Sequence, residues 1–143
     1  MKKTLYVTRR PIEPGRVLAS VSDPDAGGTV LFVGAIRRRS EGKTVDGLTY
    51  EVYREMAERK MKEIEGRVRM RWPVIKMAMI HRYGALEVGD VSVAVAVSCQ
   101  HRAQAFEACR YAIDTIKRTI PIWKKEMFSG GTQAWVKGNP IEP

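Results

Sequence analysis

Cysteine and histidine are scarce in this 143-residue chain, with two copies of each. Cys99 and Cys109 form neither a CxxC pair nor any other ligand-like spacing, so a disulfide framework, a structural zinc site and a cysteine-based redox relay lack sequence support. No apolar run approaches the ~20 residues that span a bilayer. Met1-Lys2-Lys3 leads into Leu5-Tyr6-Val7 and then Arg9-Arg10 rather than an apolar leader core, and the expectation is a soluble cytoplasmic protein. Internal repeats, low-complexity stretches and linkers are missing too. Acidic residues are outnumbered, 16 against 25 Lys+Arg, which leaves a formal net charge of +9. That excess favours anionic partners or substrates without choosing among nucleic acid, phosphorylated metabolites and acidic proteins. What remains is an ordinary globular composition, 44% hydrophobic and 29% charged, of a length that fits one domain over residues 1–143.

Thr29 to Ile36 is β-branched and apolar on both parities, as in a strand buried on two faces. Gly27-Gly28 precedes it, Arg37-Arg38-Arg39 and Ser40-Glu41-Gly42 follow, and Leu48, Tyr50 and Val52 then alternate. The pattern predicts a hairpin over 29–53 with the arginines near its tip. Ala57, Met61, Ile64 and Val68 recur at helical spacing between about Arg54 and Arg71, and Trp72-Pro73 stops that helix. Two strand-like runs follow, Val74 to His81 and Val91 to Ser98. In the second, Val91, Val93, Val95 and Val97 line one face, and Ser92, Ala94, Ala96 and Ser98 form a small face suited to a close-packed helix. The helix expected there starts near His101, carries Ala105, Cys109, Ala112 and Ile116, and ends by Thr119 because Pro121 holds Ile120 extended. Cys109 on that face reads as a small core hydrophobe. The tail offers a short edge strand over Gln133–Val136. The sum is a single α+β domain, a mixed or antiparallel sheet with two main helices.

Three basic clusters stand out. Arg37-Arg38-Arg39 is ordinarily a solvated turn, but it can also be a fork for phosphate or carboxylate. His101-Arg102 opens a helix, where capping is the plain explanation and an anion site the functional one. Lys117 suits a helix C-terminus on dipole grounds alone. Lys124-Lys125, however, lies just past a helix stop and a proline. A bend anchored by Trp123 can aim Lys117 and Lys124 into one pocket, where repulsion and desolvation favour a neutral amine.

Phe32-Val33-Gly34-Ala35-Ile36-Arg37, His81-Arg82-Tyr83-Gly84 with Val88-Gly89-Asp90, His101-Arg102 with Ala105-Phe106, and Lys117 through Pro121-Ile122-Trp123-Lys124-Lys125-Glu126 resemble, in order and spacing, the large catalytic subunit of molybdopterin synthase, the MoaE family. Tyr50-Glu51-Val52-Tyr53 belongs to the same likeness. The resemblance implies an α/β-hammerhead fold and a sulfurtransferase of molybdenum cofactor biosynthesis. Such an enzyme turns cyclic pyranopterin monophosphate into the dithiolene molybdopterin. It implies a small ubiquitin-like partner whose C-terminal glycine thiocarboxylate donates the sulfur, and a large-subunit homodimer that carries one small subunit at each end of a heterotetramer. Neither cofactor nor metal is implied. By the same resemblance Lys117 and Lys124 are catalytic, with Lys117 the acid/base or transient nucleophile, and Arg37, His101 and Arg102 hold the substrate. Ser40 departs from the family, which commonly has asparagine there.

Other readings compete, among them a non-catalytic scaffold whose basic pocket only docks an acidic partner. A basic nucleic-acid-binding module draws on the charge and on Tyr50 and Tyr53 as a stacking platform, but its cations are dispersed and it has no RNA-binding signature. A thiol enzyme would pair Cys99 with His101 across a strand end. A metal site from His81, Cys99 and His101 would need three scattered ligands, and none is assigned.

Overall fold

The strand Val91–Cys99 is buried from Ser92 to its end, and the rest of the chain is laid around it. In the computed structural model, which describes residues 5–137, the elements run β1 (Val7–Thr8), α1 (Pro14–Ser20), β2 (Gly28–Ala35), β3 (Arg39–Ser40), β4 (Lys43–Val52), α2 (Arg54–Arg71), β5 (Val74–Arg82), β6 (Gly84–Glu87), β7 (Val91–Cys99), α3 (Arg102–Thr119), β8 (Ile122–Phe128) and β9 (Gln133–Lys137). One sheet has the order β1-β5-β7-β2, antiparallel except for the parallel β1–β5 pair. The other runs β3-β4-β8-β9, with β6 also on β4. The architecture is the expected α+β one.

Both main helices form where the apolar spacing places them. Ala57, Met61, Ile64 and Val68 are the buried face of α2, and Ala105, Cys109, Ala112 and Ile116 lie on that of α3. They pack together with Val93, Val95, Val97 and Cys99 of β7 in one core. The face of β7 under α3 is therefore the valine face, not the small one. The small residues that permit close approach sit on the helix instead, and branched valines fill against its alanines. Ser98, on the other face, bonds the Lys76 backbone, and the Lys76 amine reaches the Ser22 carbonyl at 3.1 Å just past α1, so the small face is covered by the α1 segment.

The predicted hairpin over 29–53 does not form. β2 pairs with β7, from Gly28↔Cys99 to Ala35↔Val91, whereas β4 pairs with β6 and β8 in the second sheet. The expected burial of this strand on both faces is not found either: β2 is the edge of the first sheet, packed by α3, and none of its residues is fully buried, with Thr29, Phe32, Val33 and Ala35 exposed. At Gly34 a Cβ would come 2.7 Å from the Val93 side chain, and there β2 bulges and leaves its sheet. Arg37 and Arg38 thus lie in the crossover between sheets, and Arg39 opens β3. The true hairpin tip is Glu41-Gly42, both at positive φ (49° and 78°), between β3 and β4. β9 forms the expected edge strand; β8, beside it, has no counterpart among the sequence expectations.

Ile116 is fully buried in this core, one residue before Lys117. Ile116→Ala is expected to cost about 2–5 kcal/mol, measured by urea denaturation. A loss below about 0.5 kcal/mol would mean that α3 is not held as described.

Candidate active site

The candidate pocket is made by a reversal of the chain. Pro121 cannot extend α3, and Ile120 before it takes φ −76° and ψ 129°, so the backbone turns out of the helix into β8. Ile116, Ile120 and Ile122 are buried through the turn and fix it. Trp123, expected to anchor the bend, is 37% exposed on the outer face of β8 and does not. Because β8 runs antiparallel to β4 with Tyr50↔Lys124 and Leu48↔Glu126 in register, Tyr50, Lys124 and Glu126 share the inner face. Lys125 falls on the other side, its amine 5.5 Å from the Trp135 ring centre.

Arg37, Tyr50, Lys117, Lys124 and Glu126 line a pocket of about 140 Å³ at the junction of the two sheets. Glu126 is 3% exposed, and a buried carboxylate needs partners. It accepts a 3.1 Å hydrogen bond from the Ser40 hydroxyl and faces the Lys124 ammonium at 3.9 Å. Lys117 has no described carboxylate within 4 Å. It keeps solvent access at the pocket mouth, yet desolvation, then Lys124, then Arg37, pull its pKa below the ordinary 10.5. The result is one ammonium tethered to a carboxylate beside one amine biased toward the neutral, nucleophilic form. Arg37 and Arg39 add fixed positive charge for an anion.

The structure thus brings together Arg37, Lys117 and Lys124, but not His101 and Arg102. These two are exposed at the opposite end of α3, with His101 at the N-cap. At 1.5 Å per residue they lie about 22 Å along the helix from Lys117. Glu126, Tyr50 and Ser40 are site residues that the sequence reading did not assign. Their signal was the period-two placement of Lys124 and Glu126 on a strand, legible only once 122–128 is read as β.

The thiol and nucleic-acid readings lose their geometry. Cys99 is fully buried in the core with its thiol pushed up by burial, while His101 faces solvent. Tyr50 is buried and Tyr53 is 60% exposed at the start of α2, so they make no common stacking surface. Among the described residues no three His, Cys, Asp or Glu side chains gather as a metal site, and no helix is long and apolar enough to cross a membrane.

Fold and site define an α+β protein with a basic, amine-lined pocket whose chemistry suits an anion. The chain belongs to the MoaE protein family, which matches residues 7–119. The molybdopterin synthase catalytic subunit of Nostoc sp. is 42% identical over 137 residues, 95% of this chain and 83% of that protein. Its human namesake is 41% identical over 138 residues, 96% and 72%. The crystal structure of molybdopterin synthase from Staphylococcus aureus superposes with a TM-score of 0.87 at 34% identity, covering 95% of this chain and 98% of that one.

Lys124 depresses the Lys117 pKa by like charge, so Lys124→Ala raises it and leaves less neutral amine at a given pH. Acetylation of Lys117 by a dilute anhydride at pH 8, followed by peptide mass spectrometry, is expected to slow in that variant. An unchanged or faster rate would contradict the coupling.

Proposed function

We propose that this chain is the catalytic subunit of a molybdopterin synthase. It moves sulfur from the C-terminal glycine thiocarboxylate of a small ubiquitin-like subunit to cyclic pyranopterin monophosphate, in two donations that complete the dithiolene. The observation that carries this reading is Lys117, partly desolvated between Lys124 and Arg37 in a narrow pocket. A glycine tail has no side chains to exclude, and its anionic end is drawn to these cations. The Arg37 guanidinium holds the substrate phosphate by charge-assisted hydrogen bonds. As the thiocarboxylate sulfur bonds to the substrate carbon, Lys117 as ammonium gives a proton to the oxygen that leaves that carbon; in its neutral form it then takes a proton from the water that cleaves the acyl–sulfur bond, so that sulfur stays on the substrate and the donor departs as a carboxylate. Lys124, tethered to Glu126, orients Lys117. The reaction belongs to the cytoplasm.

His101 and Arg102 join the site from a second copy of the chain. β2 is the free edge of its sheet, with Phe32, Val33 and nearby Phe106 exposed. Antiparallel contact between two β2 edges about a two-fold axis sets the Gly28 end of one against the Ala35 end of the other. Gly28 lies so close to α3 that a Cβ there would be 2.9 Å from the Arg102 Cα. The second copy's His101 and Arg102 therefore arrive beside this chain's Arg37, and a small subunit at each end gives a heterotetramer.

In a single-turnover assay with cyclic pyranopterin monophosphate and thiocarboxylated partner, folded Lys117→Ala is expected to lose at least about 100-fold in dithiolene formation. Wild-type rates in the variant would remove Lys117 from the chemistry, and no product from wild type would remove the function. Lys117→Ala and Arg102→Ala chains, each inactive alone, are expected to recover on the order of a quarter of the sites when unfolded, mixed and refolded together, since half of random dimers carry one intact site. No recovery would place both residues in one chain's site.

A further inference from the structure

α2 and α3 meet along a groove that the reaction as described leaves unused. Lys60, Ile64 and Arg67 recur at i, i+4 and i+7 on α2, and Tyr111, Thr115 and Arg118 do the same on α3, so each set lies on one helix face. The two faces line a common cavity of about 340 Å³, with Ile64 and Thr115, each 2% exposed, at its base. That is above the roughly 300 Å³ at which pockets begin to enclose small-molecule ligands. The helices run antiparallel along it. Arg71 and Trp72, at the end of α2, meet the Tyr111 ring in the middle of α3, and the Trp72 indole donates to Glu107 at 3.0 Å. Lys60, about three turns back, therefore stands level with Arg118 in the last turn of α3, while Arg67 lies toward Tyr111.

The same two helices show how their cations are ordinarily satisfied. Arg54 pairs with Glu58, Arg69 with Glu65 and Arg110 with Asp114, all at four-residue spacing. Glu63 stands at that spacing from Arg67 and three residues from Lys60, yet no described carboxylate lies within 4 Å of Lys60, Arg67 or Arg118. Arg118 instead donates to the Thr115 hydroxyl at 3.5 Å, and that hydroxyl gives its own proton to the Tyr111 carbonyl at 2.7 Å. Desolvation raises the pKa of the Tyr111 phenol, but the neighbouring Arg67 and Arg71 outweigh it and hold the phenol below its ordinary value, as a positive field does. Three cations and one carboxylate, Glu63, leave two net positive charges in the groove. The C-terminal dipole of α3 offsets only about half a charge.

We infer that this groove is a second anion site, separate from the catalytic pocket, which binds a small phosphorylated molecule through a dianionic phosphate or diphosphate group. Arg67 and Arg118 present planar donor forks from the two walls, and Lys60 adds a point charge. Lys60 and Arg67 are about 10 Å apart along α2, a span that suits one such group and not a nucleic-acid backbone, which needs a continuing track of cations. The occupant ties α2 to the last turn of α3, one residue from Lys117, and so stabilises the turn on which the catalytic pocket rests. The site does not depend on the catalytic reading above.

The test is calorimetric titration of pyrophosphate at constant ionic strength into folded Arg37→Ala, which removes an anion contact of the other pocket and leaves the groove intact. Binding is expected there, with a rise in melting temperature. Adding Arg67→Gln and Arg118→Gln is expected to weaken it at least about tenfold, the loss of one charge-assisted hydrogen bond. Glu63→Gln removes the opposing carboxylate and is expected to tighten it about threefold. ADP in place of pyrophosphate separates two sources of the same group: comparable affinity assigns a nucleoside-borne diphosphate, and no binding assigns the free anion. Absence of pyrophosphate binding by folded Arg37→Ala, or unchanged affinity on adding the folded Arg67→Gln and Arg118→Gln pair, would overturn the assignment. So would weaker binding in Glu63→Gln, an arm that stands should the paired variant not fold. Single-stranded DNA bound by wild type but not by the paired variant, with no binding of pyrophosphate, would overturn it in favour of a nucleic-acid face.

Discussion

The end of α3 is the constraint on which the rest of the site depends. Two like-charged side chains seven residues apart do not approach one another by choice, and in a continuing helix Lys117 and Lys124 would be two turns apart. Pro121 forbids that continuation, and three buried isoleucines fix the direction in which the chain returns. Burying them favours the turn by a few kcal/mol, and the repulsion between the two amines works against it. The site is therefore held in electrostatic tension by packing, and a bound anion relieves it. Affinity for an anion follows from the fold before any specific contact is considered.

A single carboxylate then divides the labour between the lysines. Glu126 sits on the same strand face as Lys124 and within reach of its ammonium, while Lys117, on a different element, has no described carboxylate within 4 Å and feels the charges of Lys124 and Arg37. The same carboxylate accepts from Ser40 of β3, next to Arg39 and just past the crossover that carries Arg37. Glu126 thus ties the arginine-bearing segment and the anchored lysine to one floor. Ser40, where the family commonly has asparagine, keeps a donor in that place.

Legibility in the sequence followed periodicity. α2 and α3 were legible because Ala57, Met61, Ile64 and Val68, and Ala105, Cys109, Ala112 and Ile116, repeat at 3.6 and are the residues buried. The β2–β4 hairpin was misread because an apolar run names neither the strand that lies alongside nor the faces that are covered: β2 pairs with β7 and leaves Phe32 and Val33 exposed at the sheet edge. β8 went unseen for a more telling reason. Its inner face carries Lys124 and Glu126 and its outer face Trp123 and Met127, the reverse of core patterning, and such inversions belong to functional sites. His101 and Arg102 share a helix with Lys117, and helix rise alone keeps fifteen residues about 22 Å apart.

The size of the pocket bears on how the enzyme must work. About 140 Å³ is well under the roughly 300 Å³ at which pockets begin to enclose small-molecule ligands. A fused tricyclic phosphate cannot be contained there; one end enters, and the remainder lies across the mouth where Lys117 meets solvent. On the proposed reading, the second copy's α3 and the threaded glycine tail cover that remainder. Both also exclude water from Lys117, and desolvation is the leading cause of its lowered pKa. The amine is then most strongly biased toward its neutral form only when substrate, donor tail and second copy are all in place. Assembly would thereby gate the chemistry, which keeps a reactive amine from attacking other carbonyls while the pocket is empty.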